Sequence, residues 1–304
     1  KNFRKNIGNF FEEKWKNREK FSKKKVLLFD RYPHDILIDP LRYRFNLSEK
    51  LNASLFVIHV FDYPTVFSKE LAEPYQNLEE KSYKTHYQKL VDFCTKNYEG
   101  DIDKLDLSFD AIEDKSIVKG IIKKANNLSA DLIITGTKSE KVLKELLLGN
   151  TAKQLIEKAP CPILTIPKEQ NSLEIDTIVY ASDFEENDIS AIYDLVKIAK
   201  PFNATMKIVH ISLKEDDVYR NKMVWFRKLL NEKVTYDKID TEIIYSEDVF
   251  EALKSYLNEK NADMVSMLER SSKGIMKMLF HTDLVKKMET LGNVPLMSFN
   301  EDQL

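Results

Sequence analysis

Residues 51–60 read LNASLFVIHV, and residues 202–211 read FNATMKIVHI. In both, a short polar turn runs into an apolar stretch that carries a histidine at the same place, His59 and His210. Two more stretches return in the same order. SADLIITG (129–136) comes back as NADMVSML (261–268), and CPILTIP (161–167) as VPLMSFN (294–300). The repeating unit is therefore a whole domain, too long for a solenoid. The first copy carries the longer connection, somewhere within 61–130.

Each copy reads as strands alternating with helices. In the first, strands are predicted near 25–30, 54–60, 104–110, 131–136 and 162–167, with helices near 36–51, 74–97, 114–128 and 149–159. Four of these five strands are continuous apolar runs, as in parallel strands covered on both faces; KLDLSFD (104–110) alternates instead. The second copy predicts strands near 176–182, 205–211, 240–246, 263–268 and 295–299. That alternation predicts an α/β fold of two doubly wound, parallel-sheet domains in tandem. The expected boundaries are 25–167 and 175–304, joined by the polar linker 168–174.

The first 25 residues hold ten basic and three acidic side chains. Phe3, Ile7, Phe10, Phe11 and Trp15 fall on one face of a helix, so 1–24 reads as a basic amphipathic extension. It is expected either to dock on the globular body or to lie on an anionic membrane. The chain opens on Lys rather than Met, so the segment is also expected to continue from something upstream, a membrane domain included. Over the whole chain the balance of 47 basic and 49 acidic residues gives no global field for nucleic acid. Two cysteines without metal-like spacing suit a reducing cytoplasm.

In doubly wound sheets, ligands bind beyond the carboxyl ends of the strands, where strand order reverses. Three strand ends in the first copy carry suitable chemistry. Asp30 closes the first strand with a carboxylate that can accept from an adenine or a ribose. Val60 closes the second, offering main-chain polar groups and an apolar wall. Gly136 closes the fourth, and Gly149 stands where the fourth helix opens, in a chain with only seven glycines. Helix N-termini present unpaired N–H groups to an anion, and a glycine there lets it approach the backbone. Asn150 and Thr151 add side-chain donors.

On the segments GTKS, LLLGNT and APCPILTIP (136–167), with both repeats taking part, the chain resembles a tandem universal stress protein. Nucleotide-binding members of that family carry G-x2-G-x9-G-[ST] after the fourth strand, an Asp after the first and a small apolar residue after the second. The resemblance implies that Asp30 and Val60 face adenosine, while Gly136, Ser139, Gly149, Asn150 and Thr151 surround the phosphates of ATP or AMP, with Mg accompanying ATP. Ser139 replaces the middle glycine and Asn150 the family's Ser/Thr, which predicts a weakened site. The resemblance also implies an intramolecular pseudo-dimer formed through the fifth strands, with homodimerisation and an unidentified protein partner beyond it.

In the second copy Asp183 and Ile211 persist, but Leu268, Ser271 and His281 stand at the glycine positions. That copy is expected to keep the fold and lose the phosphate site, blocked at His281. No nucleophile elbow, metal-ligand spacing or carboxylate pair points to catalysis, and His59 and His210 read as strand histidines. The leading expectation is a cytoplasmic, non-catalytic stress-response regulator with nucleotide in the first copy only. An interaction module with no nucleotide, the cytosolic regulatory region of a membrane transporter, and a slow ATP hydrolase fit the same residues.

Overall fold

The structure, a computed structural model, describes residues 25–29, 47, 49–62, 75–97, 106–136, 150–167, 174–215, 217–270 and 294–304. The predicted extension 1–24 lies outside these, as does nearly all of the predicted linker. In the first half, β1 (Lys25–Phe29) and β2 (Ser54–Phe61) lead into α1 (Tyr75–Asn97). Then come β3 (Leu107–Glu113), α2 (Ile117–Leu128), β4 (Leu132–Gly136), α3 (Asn150–Lys158) and β5 (Ile163–Ile166). The second half runs β6 (Thr177–Ala181), α4 (Glu186–Phe202), β7 (Thr205–Ser212), α5 (Asp217–Lys233), β8 (Ile239–Tyr245), α6 (Val249–Glu259), β9 (Met264–Glu269) and β10 (Leu296–Asn300). A 3-10 turn, Glu301–Gln303, follows.

All described strands join one ten-stranded sheet in the order β3-β2-β1-β4-β5-β10-β9-β6-β7-β8. Every pairing is parallel except β5 with β10, where Met297 faces Leu164 and Ser298 faces Ile163 in antiparallel register. The fifth strands thus form the seam between copies, as the resemblance implied. The sheet is covered on both faces because successive side chains alternate sides. Leu132 and Ile134 enter a core on one face with Leu90 of α1, Leu195 of α4 and Phe226 of α5. Ile133 enters the other with Ile121 of α2, Leu155 of α3 and Leu253 of α6. Each core runs through both copies, so the halves share their apolar interior.

The repeated polar residues now have physical reasons. Asn52 and Asn203, from the opening stretches, both sit at positive φ, 49° and 57°. Asparagine tolerates this left-handed turn between helix and strand better than most residues. Ser129 and Asn261 do the same at φ 51° and 47°. Two residues on, Asp131 Oδ2 accepts from the Lys25 amide at 2.7 Å, while Asp263 Oδ2 accepts from the amides of Asp176 and Thr177 at 2.9 and 2.8 Å. Each aspartate pins the start of its copy's first strand.

One strand differs from expectation. β3 spans Leu107–Glu113 rather than 104–110, with Leu55 opposite Leu107. As an edge strand it pairs on one side only, and its half-exposed alternating residues gave no continuous apolar run to mark its limits.

Candidate functional site

Strand order reverses between β1 and β4 in the first copy and between β6 and β9 in the second. At the first reversal, Phe29 pairs with Ile58 on one side and with Thr135 on the other. The chain therefore leaves β1 beside the ends of β2 and β4, at Val60 and Gly136. Asp30, Ser139 and Gly149 lie outside the described residues, so the site residues seen in place are Val60, Gly136, Asn150 and Thr151.

Val60 does not end its strand: β2 runs on to Phe61, and Val60 is buried on the α2 side. A Cβ at Gly120 of α2 would meet Val60 Cγ1 at 2.8 Å, so the glycine permits this close approach. The main chain of Val60 is what remains to face a ligand. Gly136 is exposed at the end of β4, paired with Ile166. Asn150 opens α3, and Thr151 in its first turn is buried. His59 is buried too, its ring 5.1 Å from His86 of α1, which in turn stacks on Phe61 at 4.2 Å.

At the second reversal, among the described residues, an arginine fills the mouth. Arg270 follows β9 directly, and its guanidinium bridges to Asp183, just past β6, at 2.6 Å. It also contacts Asp188 of α4 at 2.7 Å and Glu185 at 3.5 Å. Asp188 is fully buried and accepts from Tyr180 Oη, Ser182 Oγ and the amides of Asp183 and Glu185. These bonds meet both Asp188 oxygens, the condition under which a buried carboxylate is tolerated, while the buried Arg270 Nε has no hydrogen-bond partner among the described residues. Burial, then the Asp188 carboxylate, push the Tyr180 phenol well above its usual range and keep it a donor. Phe184 takes φ 53°, a costly conformation for a bulky residue, and is held there by complete burial and an amide bond to Ser182 Oγ at 2.9 Å.

The expected plug, His281, and Ser271 lie outside the described residues. Leu268, at the position of Gly136, points into the core. Among the described residues, the group that occupies this mouth is Arg270, which the sequence did not single out. Its partners are 82 and 87 residues away in sequence, so no local pattern marks it. The only signal was a basic residue directly after the repeat of the fourth strand.

Residues 40–167 match the sequence model of the Universal stress protein family. This segment belongs to that family. Stress response protein NhaX of Bacillus subtilis is 38% identical over 48 residues, which is 16% of this chain and 29% of that protein. A universal stress protein of Methanocaldococcus jannaschii is 27% identical over 164 residues, covering 50% of this chain and 86% of that one. Among solved structures, a universal stress protein from Archaeoglobus fulgidus matches 92% of this chain and all of its own length, with TM-score 0.65 and 17% identity. The cytoplasmic domain of a prokaryotic cation chloride cotransporter matches 93% of this chain and 98% of its own, with TM-score 0.51 and 8% identity. These structural likenesses are of fold, and they extend the universal stress protein architecture over both halves.

Proposed function

We propose that the first copy binds one adenine nucleotide, ATP or AMP, in the crevice between β1 and β4, with Mg accompanying ATP, and that the protein is a non-catalytic stress-response regulator. The observation that carries this reading is the double pairing of Phe29 with Ile58 and Thr135. It brings the exits of three strands together at a reversal of strand order, where such sheets take ligands. The opening of α3 at Asn150 adds a helix N-terminus suited to phosphate. Family membership supports the ligand class. In the second copy the Arg270 guanidinium already satisfies Asp183, which leaves that carboxylate no role toward a ribose or adenine. Occupancy of the first mouth regulates by favouring one conformation that a protein partner recognises, which requires different nucleotide affinities in the two states.

Calorimetric titration of the whole chain with ATP and AMP tests this. One nucleotide per chain is expected, with a melting-temperature rise; ligand at 100 times Kd adds about 2.7 kcal/mol. Gly136→Val is expected to weaken binding about tenfold or more by putting a branched side chain at the mouth. No heat and no thermal shift at millimolar nucleotide, or two nucleotides per chain, overturns the reading.

A second reading, the cytosolic regulatory region of a membrane transporter, is favoured by the fold likeness to the cotransporter's cytoplasmic domain over 93% of the chain. No helix among the described residues is long and apolar enough to cross a membrane. An antibody against this chain decides the matter in cells. A larger native product that sediments with membranes supports the transporter reading, and a soluble product near 35.5 kDa overturns it.

A further inference from the structure

We propose that the seam between the copies holds a second ligand site, separate from the nucleotide crevice, that takes a small amphiphilic amine. A cavity of about 360 Å³ opens where the amino ends of β1, β4 and β5 meet the carboxyl end of β10 and the flank of α4. Its size falls within the range of small-molecule sites, roughly 300–1,000 Å³. The walls are mainly apolar, with Leu51, Leu132, Ile198, Met297 and Phe299 among them, drawn from both halves. The turn Glu301–Gln303 borders it, tethered by Asn187 Nδ2 donating to Glu301 at 2.6 Å and by the Asp302 amide donating to Asn300 Oδ1 at 2.9 Å.

The charge on the lining sets the ligand's sign. Lys197 pairs with Asp194 at 2.8 Å, and the carboxylate of Asp131 adds a further negative charge to the lining. Asp131 is exposed at the cavity, and its Oδ2 accepts from the Lys25 amide at 2.7 Å. Its charge reaches the interior: the Cys161 thiol on the same wall is pushed up to about 12, by burial first and by Asp131 second. An anion there meets repulsion, and a wholly apolar molecule strips water from the carboxylate without replacing its hydrogen bonds. A protonated amine on an apolar body satisfies both halves of the surface, with the Gln303 amide at the rim as a further polar contact.

Calorimetry with tryptamine and indole-3-propionate, which share a ring and a two-carbon arm but differ in charge, provides the test. Tryptamine is expected to bind once per chain and at least about tenfold tighter than the acid, the equivalent of one modest ion pair. Asp131→Asn keeps an acceptor for the Lys25 amide and is expected to remove that tenfold preference while melting like the parent. Gln303→Trp, at an exposed position, is expected to obstruct the cavity and weaken tryptamine without disturbing the core. Absence of tryptamine binding at millimolar concentration, equal binding of the acid, or parent-like affinity in both variants overturns the proposal. ATP titrations on the same variants stay unchanged if the two sites are separate; loss of ATP binding together with tryptamine binding overturns the separation.

Discussion

Arg270 and Asp188 stand 2.7 Å apart across the mouth of the second copy, and the side chain of Asp188 has no exposed surface. Removing the cation strands a buried carboxylate. Arg270→Met is therefore expected to destabilise the fold by about 3–5 kcal/mol. The double variant Arg270→Met/Asp188→Asn should recover part of that loss, because the charge left unpaired is gone. Denaturant unfolding of the single and double variants measures the coupling, and additive losses contradict it.

His210 predicts how stability responds to acid. Its Nδ1 donates to the Ser182 carbonyl at 2.8 Å, so the neutral ring carries its proton there, and the buried Nε2 has no hydrogen-bond partner among the described residues. Burial, its largest influence, holds the imidazole below the usual 6.5, with Lys222 acting the same way and the Ser182 hydrogen bond, Asp183 and Asp188 opposing. His86 is lowered too, by burial, His59 and Lys89. As pH falls below about 6.5, the unfolded chain takes up protons that the native rings refuse, so stability drops with acidification. Unfolding free energies at pH 7.0 and 5.5 should show that fall, and His210→Phe should make it shallower. An unchanged slope removes His210 as the cause.

Gly120 tests the packing under the first mouth. Gly120→Ala improves helix propensity by about 1 kcal/mol, yet its Cβ meets Val60 Cγ1 at 2.8 Å. Overpacking of this kind costs about 1–3 kcal/mol, so a net loss is expected. Val60→Ala in the same chain should relieve it, leaving the pair more stable than the two single losses combined. A thermal melt of all four proteins decides the case.

Asn203 tests the turn written into both copies. At φ 57°, Asn203→Gly is expected to be close to neutral, whereas Asn203→Val costs about 1–2 kcal/mol from its branched Cβ. Equal melting temperatures for the two variants count against a left-handed turn there.

The architecture was readable because each buried strand is a short apolar run and each turn repeats its residue type. LNAS and FNAT, SAD and NAD mark the same bends 151 and 132 residues apart. The fifth-strand seam was inferred from resemblance rather than from residues, since nothing in ILTI or LMSFN states that one strand runs against the other. The edge strand β3 slid by three residues where alternation replaced a continuous run. Of the candidate site, Val60 was expected to close its strand, but β2 runs on to Phe61, and the Val60 side chain turns inward because a glycine on α2 makes room for it. Arg270 escaped notice because reading for missing glycines finds where a ligand lost its seat, and a replacement cation announces itself only through partners distant in sequence.

Because β10 runs against β5, the strands of the two copies point in opposite directions, and their mouths open at opposite poles of one slab. The crevice proposed for nucleotide faces one pole. Arg270 and the seam cavity, bounded by the outgoing end of β10, belong to the other. On both proposals, a protein that senses nucleotide at the first pole would dock far from the amine, so two signals could be read from a single chain without competing for the same surface.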